Sequence, residues 1–157
     1  MERGWYSWKP WQWLPGAERD TARAMSEENV ERIYRVYDAM NRGDLEAIVA
    51  LTHPDVEAIP RLLGVEGGDT YRGHDGIREW WKSISSAFPD FNATVLEVRA
   101  VADATVSNVR FQGRGAESGV PFEDRIWQVA RWRDGRVVWV KSYLKRAEAL
   151  EAAGLSE

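Results

Sequence analysis

The sequence predicts an α+β domain in which three N-terminal helices lie on a curved antiparallel sheet, closing a cone with an apolar interior. Two observations predict it. Apolar residues recur every three or four positions as far as Phe88, then every two positions from Leu96 to Leu144. The breaks between the later segments are turn-like: Ala102-Asp103-Ala104, the longer GRGAESGVP, and Arg133-Asp134-Gly135. Strands joined this way form a meander.

The first helix is read from SEENVERIYRVYDAMNRG, with Ser26 as N-cap and Glu27 and Glu28 in the first turn, where the helix dipole favours anions. Val30, Ile33, Tyr34, Tyr37 and Met40 form its apolar face, and Asn41 and Gly43 end it. Asp44 caps a second, short helix carrying Leu45, Ile48, Val49 and Leu51. His53-Pro54-Asp55 reads as a turn and Val56 to Ile59 as a short strand. After the Gly-rich RLLGVEGGDTYRG, a third helix places Ile77, Trp80, Trp81, Ile84 and Phe88 on one face and stops at Pro89.

Four long strands follow. Leu96, Val98 and Ala100 alternate with Glu97 and Arg99, and Ser107, Val109 and Phe111 share one side of the next strand. Arg125, Trp127 and Val129 are assigned to the inward face of the third. Val138, Val140, Ser142 and Leu144 are assigned to that of the fourth. Lys145 to Ala153 reads as a last helix, stopped by Gly154.

Composition narrows the function classes. The 157 residues suit one domain, and 44% hydrophobic with 29% charged residues is a globular balance. A net charge of −4 points to neither nucleic acid nor a membrane surface as partner. Without cysteine there is no thiol nucleophile or Cys-based metal site, and His53 and His74 alone show no ligand spacing. No cofactor is expected. No apolar run reaches the roughly 20 residues that span a bilayer, and Lys9, Pro10 and Pro15 interrupt any signal-peptide core, so a cytoplasmic location is expected.

From Glu28 to about Leu155 the chain resembles the SnoaL-like branch of the nuclear transport factor 2-like superfamily. The carriers are YRVYDAMNRGDLEAIVAL, YRGHDGIREWW, AFPDF, and GRGAESGV with RWRDGRVVWVKSYLKRAEALEAAGL. The resemblance implies the cone-shaped, cystatin-like roll. It also allows the superfamily's catalytic sets to be sought residue by residue, because function resides in the site and not in the fold. Isomerases of this fold need a carboxylate base on the first strand and a tyrosine with a neutral carboxylic acid as oxyanion donors. Here the base position falls at or near Ile59, with Glu57 the nearest carboxylate; the acid position falls on Trp127, and the tyrosine position near Val36, beside Tyr37. Epoxide hydrolases of the fold need two Asp flanking an Arg, and the corresponding positions around Lys141-Ser142 and Val109-Arg110-Phe111 carry no Asp. The cyclases' Asp, near Lys141-Ser142, is also missing.

The expected site is therefore an aromatic-lined cone that binds a small hydrophobic molecule. Its candidate ligand contacts are Tyr34, Tyr37, Trp81, Val109, Phe111, Arg125, Trp127 and Ser142. His74 and Glu57 are the candidates for acid/base chemistry under the alternative reading, an isomerase, cyclase or dehydratase with a non-standard site. A homodimer through Trp132, Trp139 and Tyr143 on the outer sheet face is expected, and a third reading is a dimeric protein-interaction module.

Residues 1–25 differ from the expected domain, 26–157. Trp5, Trp8, Trp11 and Trp13 crowd the start, and the first three, spaced by three around Pro10, would share one side of a polyproline II chain. The segment is read either as an arm packed on the domain or its dimer mate, or as translated sequence upstream of the true start.

Overall fold

A computed structural model describes residues 15–61 and 70–155. The Trp-rich start and most of the Gly-rich segment lie outside the described residues. Four helices and six strands follow in the order α1 (Gly16–Arg42), α2 (Leu45–Ala50), β1 (Thr52–Ile59), β2 (Tyr71–Arg72), α3 (Gly73–Ala87), β3 (Asn92–Val101), β4 (Ala104–Arg114), β5 (Pro121–Arg133), β6 (Arg136–Tyr143) and α4 (Arg146–Ala152). They build one unclosed, curved sheet in the order β2-β1-β6-β5-β4-β3.

The helices end where the sequence says. Gly43, at φ 67°, sends its N–H back to the carbonyls of Ala39 and Met40 and closes α1. The Asp44 carboxylate accepts from the Ala47 N–H and starts α2. The start of α1 differs: the helix begins ten residues before Ser26, which lies inside it and is buried. The stretch GAERDTARAM is polar but rich in strong helix formers, with no proline and no glycine after Gly16, so nothing stops the helix there. The boundary expected at residue 25 thus falls within a continuous helix.

The meander of β3 to β6 is antiparallel throughout. β1 instead pairs in parallel with β6, and the two-residue β2 extends the edge antiparallel to β1. Such long-range pairing leaves no local signature. β1 also starts earlier than expected: the His53-Pro54-Asp55 turn is an irregular stretch inside the strand, where His53 Nδ1 accepts from the Asp55 N–H at 3.0 Å.

Helices α1, α2 and α3 cover one sheet face and α4 the other, so the molecule has two apolar clusters. The larger contains Val30, Ile33 and Tyr37 of α1, Ile77 and Trp81 of α3, and Val95, Val98, Val109, Phe111, Ile126, Ala130 and Trp132 of the sheet. The smaller packs Ala149 and Leu150 of α4 on Val106 and Val129, with Trp127, Trp139 and Tyr143 around them.

This division corrects the expected faces. On β5 the inward residues are Ile126, Gln128 and Ala130, opposite Val109, Ser107 and Thr105 of β4. Arg125, Trp127 and Val129 point outward. Trp132 points inward, not into an outer interface, and its buried Nε1–H donates to Thr105 Oγ1 at 3.0 Å. Trp139 and Tyr143 do lie on the outer face, beside α4. On β3 a bulge between Val95 and Glu97 puts Ala93 and Val95 inward in place of Leu96. Leu144 lies beyond the end of β6 and is exposed.

Candidate functional site

The interior of the cone is aromatic. Phe91 stacks on Phe111 with ring centroids 5.3 Å apart; Trp81 meets Phe91 edge-on at 6.0 Å, and Tyr37 meets Phe111 at 6.2 Å. Edge and offset contacts of this kind are the favoured arrangements of aromatic rings. Toward the rim, Phe88 and Phe122 lie 4.4 Å apart, and Tyr34, Tyr71, Trp80 and Ile84 are half-buried against the same cluster.

Across this apolar floor runs a row of polar side chains. Ser107 of β4, Gln128 of β5 and Ser142 of β6 are successive register partners, so they stand side by side on the inward face. Ser107 and Ser142 are buried. Above them α1 lowers Tyr37, whose hydroxyl donates to Gln128 Oε1 at 2.8 Å and also bonds the Ser107 side chain. Burial pushes the Tyr37 pKa well above the usual phenol value, and the Ser107 hydrogen bond offsets this only in part. Tyr37 is therefore a neutral hydroxyl across the physiological range. The row is a set of uncharged donors and acceptors set in an apolar interior.

Of the expected contacts, Tyr34, Tyr37, Trp81, Val109, Phe111 and Ser142 gather on this side. Arg125 and Trp127 do not, because β5 presents its other face. His74 places Nε2 2.9 Å from the Thr52 carbonyl oxygen, tying the start of α3 to the start of β1. Glu57 pairs in register with Trp139 on the outer face, 3.8 Å from Arg72 Nη2. Among the described residues no group of three or more His, Cys, Asp or Glu could hold a metal ion. No helix there is long and apolar enough to cross a membrane.

Two inward residues escaped the sequence reading. Gln128 was set outward by the phase assigned to β5. Asp124, opposite Phe111, is the carboxylate that the same strand turns to the helix side, near the rim. The signal that finds both is parity with Ile126, which is fully buried.

Solved structures share this fold, with 360 matching chains. One is a putative SnoaL-like polyketide cyclase from Jannaschia sp. CCS1, at 17% identity and TM-score 0.66, covering 76% of this chain and 86% of that one. TerC co-crystallised with polyporic acid matches at 23% identity and TM-score 0.65, covering 81% and 98%. A loop-truncation variant of IdmH matches at 29% identity and TM-score 0.61, covering 73% and 91%. None of the curated proteins compared matches the chain. The SnoaL-like domain family matches residues 33–140, from the apolar face of α1 to the middle of β6, and the chain belongs to that family.

Proposed function

We propose that this domain binds a small, flat hydrophobic molecule bearing a carbonyl or hydroxyl group, held against the aromatic wall of the cone. The observation that carries this reading is the row Ser107, Gln128 and Ser142 beneath Tyr37. Polar groups cost free energy when buried in an apolar interior, and a plain core would carry aliphatic side chains at these register positions. Neutral hydroxyl and amide groups suit recognition of a neutral polar substituent, while the surrounding rings suit a flat apolar body. The co-crystallisation of TerC with polyporic acid is compatible at the level of fold.

The test is direct. Protein purified under native conditions is examined by mass spectrometry for a co-purifying organic molecule. 1,4-Naphthoquinone is then titrated while tryptophan fluorescence is followed. Saturable quenching that weakens in Ser142→Ala and Trp81→Ala supports the reading. No bound molecule and no saturable quenching in the wild type overturns it.

A second reading, acid/base catalysis at the same cone, is favoured by Asp124, whose carboxylate shares the inward face of β5 with Gln128. A carboxylate base with neutral hydrogen-bond donors can move a proton next to a carbonyl. Turnover of a bound ligand that Asp124→Asn abolishes, with binding retained, distinguishes the enzyme from the binder.

A further inference from the structure

The outer sheet face carries several cations, and most are engaged. Arg131 donates from Nη2 to the Ala152 carbonyl at 2.9 Å, approaches Asp103 at 3.5 Å and lies 5.8 Å above the Trp139 ring. Lys141 sits 5.3 Å from the Tyr143 ring and Arg146 5.9 Å from that of Trp127. Arg110 and Arg125 differ. They are directly opposite each other on β4 and β5, and both point outward, because Val109, Phe111 and Ile126 take the inward face. Among the described residues neither reaches a carboxylate or an aromatic face. The Arg110 Nε atom is buried without a hydrogen-bond partner.

Such a pair is unfavourable by itself. Like charges directly opposite across a sheet repel, and a buried guanidinium N–H with no acceptor loses its hydration for nothing. Farther along the same face, two outward rows from Arg110, Arg99 has a lowered pKa, through partial burial and then the charge of Arg146. The nearest carboxylates in register are one row away on either side. Glu123 accepts from Gln112 Nε2 at 3.0 Å, and Glu97 stands opposite Asn108. Thr94 flanks Arg110 on β3 and adds a hydroxyl to the same row. One oxyanion between the outer ends of the guanidiniums would relieve the repulsion, since each fork offers N–H donors that match a phosphate or carboxylate.

We propose that Arg110 and Arg125 form an oxyanion site on the outer sheet face, for the phosphate, sulfate or carboxylate group of a small molecule. The site is separate from the cone, and its occupant does not depend on the ligand bound there.

The experiment uses the full chain and inorganic phosphate, with sulfate and acetate as parallel arms, all exchanged for chloride at constant ionic strength. Phosphate is expected to raise the melting temperature saturably. Arg125→Gln and Arg110→Gln are each expected to weaken the apparent affinity by about tenfold or more. Both variants should melt at or above the wild type in low-salt chloride, because the repulsion is gone, so loss of the phosphate effect is not loss of folding. A stronger response to phosphate and sulfate than to acetate assigns the site to a tetrahedral anion, and the reverse order assigns it to a carboxylate. A wild-type response equal to that of chloride, or an unchanged response in Arg125→Gln, overturns the proposal. A fall in oligomeric mass in Arg125→Gln without any phosphate effect also overturns it, by making a second copy the occupant.

Discussion

Replacing Gln128 by Met tests the polar row most sharply. Met keeps the length of the side chain and removes the acceptor of the Tyr37 hydroxyl, 2.8 Å away. Tyr37 is only 5% exposed, so water cannot easily take over. A buried hydroxyl left without an acceptor costs about 1–3 kcal/mol. Ser107 moderates this, because it already bonds the Tyr37 hydroxyl and can turn to accept from it. The single change should therefore cost about 1–2 kcal/mol, at the low end of that range. With a urea slope of about 2 kcal/mol/M, the midpoint moves down by about 0.5–1 M. Adding Ser107→Ala removes the fallback, and the double variant should lose more than the sum of the two single losses. Tyr37→Phe completes the cycle: in its background Gln128→Met should cost little, leaving a coupling of about 1 kcal/mol. The assay is equilibrium urea unfolding followed by tryptophan fluorescence and far-UV circular dichroism. Strictly additive losses from Gln128→Met and Tyr37→Phe would refute the reasoning, since they would mean that the two groups do not bond in solution.

Three further outcomes follow from single features. Tyr37 has a raised pKa in the folded chain, so above pH ~10 the unfolded chain releases a proton that the folded chain keeps, and stability falls by up to about 1.4 kcal/mol per pH unit. Tyr143 is raised too, through partial burial, so Tyr37→Phe should flatten the alkaline loss in urea melts at pH 9 to 11 without abolishing it. Gly76→Ala sets helix propensity, worth about 1 kcal/mol in its favour, against a Cβ that would lie 2.9 Å from the Tyr71 carbonyl carbon. That neighbour is backbone held by the β1–β2 pairing, so overpacking should win by about 1–2 kcal/mol, whereas Gly16→Ala meets open space and should be neutral or slightly stabilising. Asn41→Ala removes two bonds that clamp the start of β3, Nδ2–H to the Ala93 carbonyl at 2.8 Å and Oδ1 from the Ala93 N–H at 2.7 Å. It should cost about 1–3 kcal/mol in chemical denaturation and speed hydrogen exchange at Ala93.

The faces of this sheet were legible where one face alone is apolar and lost where both are. β4 is the clear case: Ser107, Val109 and Phe111 alternate with Asn108, Arg110 and Gln112, and the assigned side is the observed one. β5 offers two apolar sets in antiphase, Ile126, Ala130 and Trp132 against Trp127 and Val129. Period-two reasoning cannot choose between them without knowing that α4 covers the second set. The early start of α1 was hidden for a different reason. An exposed helix needs only good formers and no breaker, and residues 16–25 have no apolar stripe to announce one.

The inversion of β5 changes the chemistry of the site and not merely its inventory. With Arg125 and Trp127 facing the cone, the interior would hold a cation beside an indole and would favour an anionic aromatic ligand. With Gln128 and Asp124 there instead, the deep wall is neutral and the charged group in it is a carboxylate toward the rim. The displaced arginine then meets Arg110 on the opposite face, in the outward row next to that of Trp127 and Tyr143. The phase that turns Arg125, Trp127 and Val129 inward carries Gln128 outward, whereas the chain turns Gln128 in, where α1 lowers Tyr37 to meet it. A folded chain breaks local patterning rules chiefly where a site requires it. The departure of Ser107, Gln128 and Ser142 from an aliphatic core thus supports the proposed binding site more strongly than the aromatic residues do, since Phe91, Phe111 and Trp81 would be equally at home in an inert core.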